Sequence, residues 1–132
     1  MNISIVIPVY NSSETLPVLI SRLETVLLQL AEAYEVLLVN DGSQDNSWDV
    51  IVQLSKKHDG VHGINLMRNY GQHNALLAGI RAAKYEIIVT MDDDLQHPPE
   101  ELPKLITEIE KGYDVVYGIS DVQKNGFFRT IS

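Results

Sequence analysis

The sequence predicts an α/β protein built on a mostly parallel sheet with helices on both faces. Three observations carry that prediction. Short apolar segments alternate with longer amphipathic ones along the chain, the pattern of strand and crossover helix. One of the short segments, ISIVIP at 3–8, is a continuous apolar run of the kind buried on both faces, and EVLLVN at 35–40 reads as a second strand. Polar residues gather just after the strands, at the carboxyl ends where open α/β sheets bind ligands. No internal repeat, linker or low-complexity segment interrupts the alternation, so residues 1–132 read as one domain.

The first strand covers Ile3 to Pro8 and ends in Val9-Tyr10-Asn11. A helix is expected from about Ser12-Ser13, either serine able to cap it, with Glu14 near its first turn. Leu16, Leu19, Ile20, Leu23, Val26, Leu27 and Leu30 then recur at helical spacing and define a core-facing stripe. The second strand, Glu35 to Asn40, runs into Asp41-Gly42-Ser43. Gln44 to Lys57 reads as a second helix, with Asp45 as its cap and Trp48, Ile51, Val52 and Leu54 toward the core. A weaker third strand spans Val61 to Met67 and leads through Arg68-Asn69-Tyr70-Gly71 to a helix at 72–83. The fourth strand is Ile87 to Thr90. A helix at 99–111 and a closing strand at 114–117 complete the series.

The fourth strand delivers the most telling stretch, EIIVTMDDDLQHPPE at 86–100. A buried strand runs straight into Asp92, Asp93 and Asp94, and Pro98-Pro99 opens the next helix with Glu100 and Glu101 in its first turn. Three like charges at a strand's carboxyl end repel one another, so a cation belongs among them. A hard divalent ion held partly by substrate phosphates suits oxygen ligands of this kind. Taken alone, the cluster reads first as a solvated acidic turn, and the rest of the chain reverses that preference.

Composition narrows the classes. At 132 residues with 45% hydrophobic content, the chain can build one core. A net charge of −8 without clustered Lys or Arg argues against nucleic-acid binding. There is no cysteine, hence neither a disulfide framework nor a thiolate metal site, which fits a reducing cytosol. No run of about 18 apolar residues appears and the amino end lacks a basic segment before its apolar run, so neither a membrane span nor a secretion signal is expected. The Asn11-Ser12-Ser13 sequon is accordingly read as incidental.

The other loops are polar in a patterned way. Loop one offers Tyr10 and Asn11, loop two Asp41, and loop three Arg68 and Asn69. An aromatic face, a lone carboxylate, a cation and an acidic cluster together suit a nucleoside diphosphate: Tyr10 would stack on the ring, Asp41 would read a ring N–H, and a metal would hold the diphosphate. Each has a plainer reading. Asp41-Gly42 is a good turn, Tyr10 packs over a sheet edge, and Arg68 makes a surface ion pair. Four consecutive loops of this kind favour the joint reading. His58, His62, His73 and His97 show no ligand spacing, although His73 and His97 could approach the acidic site. PVYNSSE contains no glycine, so the dinucleotide fingerprint is absent, and no GKS or GKT marks a P-loop. A phosphatase using an aspartyl nucleophile would carry its acidic pair after strand one rather than strand four.

IVIPVYN at 5–11, LLVNDGSQDNS at 37–47 and the DDD cluster together resemble family 2 glycosyltransferases of the GT-A fold, over essentially the whole chain. RNYGQHNALLAGI and MDDDLQHPPEELPKLI resemble more narrowly the branch that loads sugars onto dolichyl or undecaprenyl phosphate. By that resemblance Pro8, Val9, Tyr10 and Asn11 form the first nucleotide-contacting loop, and Val39 and Asp41 hold base and ribose. Arg68, Asp92 and Asp93 join the nucleotide set. Asp92, Asp94 and Gln96 would surround Mg²⁺ or Mn²⁺, with Asp94 the catalytic carboxylate of the DXD motif. Asp93 occupies the middle position of that motif, where the branch often has alanine. Two departures stand out: Ser12 stands where many members have an acidic residue, and an arginine expected beyond the fifth strand to hold phosphate is missing, with Ser120 near its place.

The resemblance implies a metal-dependent, inverting transfer from a UDP- or GDP-sugar to an acceptor, a polyprenyl phosphate or a sugar. An ionised phosphate acceptor needs little help from a base, whereas a hydroxyl acceptor needs a carboxylate. Such a base, the acceptor wall and the membrane-contacting segments would lie beyond Ser132, with the whole protein cytoplasmic at the inner membrane face. The chain as given is therefore expected to bind a nucleoside diphosphate but transfer no sugar. Its sheet, interrupted after Tyr117 with Phe127 and Phe128 uncovered, favours self-association. The competing readings are a sugar-nucleotide pyrophosphorylase, which would open with a Gly-rich basic loop, and a non-catalytic nucleotide-binding regulatory domain.

Overall fold

The computed structural model describes residues 1–96, 98–110, 115–117 and 126–129. In chain order the elements are β1 (Asn2–Val9), α1 (Leu16–Leu30), β2 (Ala33–Asp41), α2 (Ser47–Lys57), β3 (Val61–Leu66), α3 (Gln72–Ala82), β4 (Ile87–Thr90), α4 (Leu102–Glu110), β5 (Val115–Tyr117) and β6 (Gly126–Arg129). A single 3₁₀ turn at Pro99–Glu101 leads into α4. The strands form one sheet in the order β3-β2-β1-β4-β6-β5. β1 is parallel to β2 and to β4, and β2 is parallel to β3.

Strand alternation sorts the apolar residues into two cores. Ile3, Ile5, Ile7 and Val9 of β1 join Val36, Leu38, Val89 and Met91 on one face, where α1, α2 and α4 pack. Val6, Leu37, Val39 and Ile88 point the other way, into a smaller core with Ala75 of α3. The stripe expected on α1 is buried from Leu16 to Leu27, and Leu30 packs half-buried beside it. Gly79 lets α3 lie close on the sheet, since a Cβ there would come within 2.3 Å of Val6 Cγ1 and 3.1 Å of Val39 Cγ2. Trp48 and Val52 of α2, expected in the core, are half-buried.

Helix starts differ instructively from expectation. Neither Ser12 nor Ser13 caps α1 with its side chain. The helix begins at Leu16, and the Ser12 carbonyl accepts the amides of Thr15 and Leu16, each at 3.2 Å. The Ser12 hydroxyl is turned to another loop, where a carboxylate outcompetes the helix amides for it. Asp45 does serve the start of α2, its Oδ1 accepting the Ser47 amide at 2.9 Å and the Ser47 hydroxyl at 2.6 Å. The helix begins at Ser47 with Asn46 rather than Asp45 in the cap position, and the Gln44 amide before it donates to Asn11 Oδ1 at 2.8 Å.

The largest correction concerns the far edge of the sheet. The closing strand does not lie beside β4, and that edge of β4 is not open. β6 pairs antiparallel with both β4 and β5, with Ile88 opposite Phe128 and Val116 opposite Phe127. An antiparallel insertion needs only a chain reversal, not a crossover helix, so the strand–helix alternation gives no warning of it. Lys111 and Asp114, expected at the ends of α4 and the closing strand, lie outside the described residues, as do His97 and Ser120.

At the amino-end side of the sheet, Glu35 is only 4% exposed. Its Oε2 accepts the Ser4 hydroxyl and the Lys84 amide, each at 2.7 Å, and Ser4 Oγ accepts the Tyr85 amide at 3.1 Å. This buried carboxylate is satisfied by neutral donors and pins the α3–β4 turn to β1 and β2. No helix among the described residues is long and apolar enough to cross a membrane.

Candidate functional site

The order of strands runs outward in opposite directions from β1 and β4, so the loops after these two strands diverge and a crevice opens at their carboxyl ends. Alternation decides which side chains enter it. Val6 and Val39 face α3, and two residues further along each strand Pro8 and Asp41 face the same way. Pro8, Tyr10, Asp41 and Asp92 accordingly line one cleft of about 410 Å³, with Val9, Asn69, Gly71, Gln72, Asp93 and Asp94 completing its wall.

Loop two shapes this wall. Gly42 adopts φ +68°, and a Cβ there would fall 2.3 Å from the Asn69 amide nitrogen, so only glycine lets loop three pass over loop two. Asp41, 4% exposed, fixes the same crossing through Oδ1, which accepts the Tyr70 amide at 2.8 Å. The turn and ligand readings of Asp41-Gly42 are thus compatible: one carboxylate oxygen holds the loop while the residue faces the cleft.

The three aspartates have different surroundings. Asp92 is half-buried and accepts a long hydrogen bond from Gln72 Nε2 at 3.4 Å. Asp93, also half-buried, accepts the Tyr10 amide at 3.0 Å and the Ser12 hydroxyl. Burial pushes the Asp93 carboxyl above its usual range and the charge of Asp94 adds to this, while the Ser12 and Tyr10 donors oppose it. Asp94 is exposed and stands on the rim between the cleft and a second cavity. Leu95 follows at φ +60°, a costly conformation for its side chain, held because that side chain packs on the larger core. The reversal at Leu95 brings the Gln96 amide to Asp94 Oδ1 at 3.2 Å.

The second cavity, about 490 Å³, is lined by Asn11 to Thr15, Asp45 and Asp94. Its polar groups largely hold one another. Asn11 Oδ1 accepts the Gln44 amide, Asp45 accepts from Ser47 and Ser13, and Thr15 Oγ1 donates to the Asp93 carbonyl at 2.7 Å. The first cleft is therefore the better candidate site.

Several residues singled out in the sequence stand apart from the cleft. Val39 is fully buried beneath it against α3, and Asn11 lines the second cavity. Arg68 lies outside the lining, its guanidinium stacked 5.0 Å from the centre of the Tyr70 ring. Gln96 is exposed and lines neither cavity, and His73 is exposed. Gly71 and Gln72 were missed, although their place between β3 and the start of α3 is a signal for them. Among the described residues no three His, Asp or Glu side chains converge as a ready-made metal cage. The donor set nonetheless suits Mg²⁺ or Mn²⁺ held by one or two carboxylates with substrate phosphates supplying the rest, as Asp92 and Asp94 would allow.

The family model described as "Glycosyl transferase family 2" matches residues 4–131, and the chain belongs to that family. Its fold is shared with mannosyltransferase PcManGT from Pyrobaculum calidifontis in complex with GDP-Man and Mn²⁺, at TM-score 0.77 and 15% identity, over 96% of this chain and 44% of that one. S. aureus TarS 1-349 in complex with UDP aligns at TM-score 0.71 and 24% identity, over 88% of this chain and 34% of that one. Glucosyl-3-phosphoglycerate synthase from Mycobacterium tuberculosis, in complex with Mn²⁺, UDP and phosphoglyceric acid, aligns at TM-score 0.68 and 20% identity. That match spans 87% of this chain and 41% of that one, so the chain spans less than half the length of these neighbours. The architecture is the GT-A fold expected from the sequence.

Proposed function

We propose that this chain is the donor-binding part of a glycosyltransferase that uses a nucleoside-diphosphate sugar and a divalent metal. One observation carries the reading: Tyr10, Asp41 and the Asp92–Asp94 cluster, from three different loops, line a single cleft at the sheet's switch point. Tyr10, 44% exposed, offers a ring face to the base. Asp41 offers its second carboxylate oxygen to a ring N–H. Pro8 and Val9 form the cleft floor beside it. Asp92 and Asp94, with the exposed Gln96 able to swing in, are the ligands for Mg²⁺ or Mn²⁺, and Asp94 is the carboxylate nearest the chemistry. The ion would neutralise charge developing on the departing nucleoside diphosphate.

The proposed reaction is inverting, with a polyprenyl phosphate as acceptor. Its second ionisation lies near pH 6, so at neutral pH its oxygen attacks without a protein base. This agrees with a cleft whose carboxylates are all directed to other work. GDP-Man and UDP bound to the structural neighbours support the donor class, and their Mn²⁺ supports the metal. The acceptor rests on the sequence resemblance of RNYGQHNALLAGI and MDDDLQHPPEELPKLI, and with it the place at the inner membrane face.

Calorimetric titration with UDP and GDP, each with Mn²⁺, Mg²⁺ or chelator, tests the reading. Binding at least about tenfold tighter with metal is expected, because the diphosphate supplies ligands that the two carboxylates do not. No binding of either nucleotide under any metal condition would overturn it.

A further inference from the structure

Loop one is held from two sides. Toward loop two, the Asn11 amide donates to Ser43 Oγ at 3.0 Å and the Ser12 amide to Ser47 Oγ at 2.9 Å. Toward loop four everything converges on one residue. Asp93 Oδ2 accepts both the Tyr10 amide at 3.0 Å and the Ser12 hydroxyl, and the Asp93 carbonyl accepts Thr15 Oγ1 at 2.7 Å. Ser12 Oγ also lies 3.1 Å from the Tyr10 carbonyl. Between these clamps the chain passes Asn11 at φ +52°, a left-handed conformation that needs its surroundings to hold it. Tyr10 is 44% exposed, so burial does not fix its ring, and its backbone depends on the clamp.

We propose that Asp93 is a positioning residue: its carboxylate ties loop one to loop four and sets Tyr10 in the cleft, rather than binding metal or nucleotide itself. The inference rests on the donor-site reading above, and it divides the acidic triplet by role. Two donors already occupy Asp93 Oδ2, so a metal ion at that oxygen would have to displace them, and the half-buried Asp93 carboxylate is less open to the cleft than the exposed Asp94. Asp94, one residue on, is exposed and carries no such tie to loop one. Loss of the Asp93 carboxylate frees the Tyr10 amide to water at little cost in stability, because the contact is exposed. What is lost is the order of the Tyr10 backbone, and with it the prepaid entropy of base stacking.

The test combines three measurements on Asp93→Ala, Ser12→Ala, Tyr10→Ala and the double variant of Asp93 and Tyr10. Hydrogen exchange by NMR reads the Tyr10 amide directly, with the Lys84 amide as control. Asp93→Ala should speed Tyr10 exchange by about tenfold or more and leave Lys84 unchanged. UDP and GDP affinity in Mn²⁺ should fall about tenfold in Asp93→Ala and about threefold in Ser12→Ala. Mn²⁺ affinity without nucleotide, read by electron paramagnetic resonance, should stay within about twofold. The double variant should bind nucleotide no worse than Tyr10→Ala, since Asp93 acts through Tyr10. Loss of Mn²⁺ binding, additive losses, or unchanged Tyr10 exchange would each overturn the proposal. If Asp93→Ala fails to fold, Ser12→Ala carries the exchange and affinity tests alone, and no change in either defeats the clamp. If the unsubstituted chain binds no nucleotide, the donor reading falls, while the exchange result still decides whether Asp93 orders loop one.

Discussion

Asp94→Ala should remove metal-dependent nucleotide binding while leaving the fold as stable as before in chelator. Asp94 is exposed at the rim of the cleft, where its Oδ1 accepts the Gln96 amide at 3.2 Å. Its charge bears on Asp93, whose carboxyl is already raised by burial, so removing Asp94 relieves repulsion in the metal-free protein. A ligand carboxylate matters far more when the ion is present. The affinity for UDP or GDP in Mn²⁺ should fall about a hundredfold, toward the value in chelator. Calorimetry gives the first number and thermal melting in chelator the second. A melting temperature lowered by many degrees would make Asp94 a structural residue and defeat its assignment.

Gly42→Ala is expected to produce the largest loss of stability in the cleft. The added Cβ would lie 2.3 Å from the Asn69 nitrogen and 2.6 Å from the Arg68 carbonyl carbon, both backbone atoms that cannot rotate away. Left-handed backbone at φ +68° adds about 1–2 kcal/mol for a residue with a Cβ, and overpacking adds about 1–3 kcal/mol. A total near 3 kcal/mol follows, unless loop three moves and gives up the Asp41–Tyr70 hydrogen bond. Gly71→Ala is the natural comparison. Gly71 has φ +95° and ψ 152°, backbone that is essentially reserved for glycine, but nothing within 4 Å of its missing Cβ, so only the backbone term applies, about 1–3 kcal/mol. Urea unfolding reads both losses, and a Gly42→Ala loss below about 1 kcal/mol would mean that the close approach of loops two and three is not retained in solution.

Much of this was legible in the sequence because strands and helices write their burial as periodicity. The seven apolar positions of α1, the continuous runs of β1 and β2, and the acidic segment after β4 all sit where period and polarity put them. The same period of two carries Pro8, Asp41 and Asp92 to the α3 face, which could have been counted from the strands alone. What periodicity cannot carry is contact between loops distant in sequence. In the sequence, Asp93 in the middle of the acidic triplet and Ser12 in place of an acidic residue have no visible connection. In the fold they are the two ends of one hydrogen bond. Val39 shows the limit of period from the other side. Resemblance puts it among the nucleotide contacts; in the fold Asp41, two residues on and on the same face, lines the cleft while Val39 is buried beneath it. β6 was invisible because a four-residue antiparallel strand has too little sequence to show a period and no helix to announce it.

Val39 need not touch a ligand to matter to one. In mechanical terms α3 is a short stiff rod resting on the sheet at Ala75 and at Gly79, the latter against Val6 and Val39, and its amino end carries Gln72 to the cleft wall. Seven residues of helix separate Gly79 from Gln72, about 10 Å at 1.5 Å per residue. A methyl group added or removed at Val6 or Val39 therefore tilts the rod rather than merely filling or emptying space. The width of the cleft is geared to the packing of the sheet behind it. Substitutions such as Val39→Ala would then register in nucleotide affinity from a side chain that no nucleotide reaches.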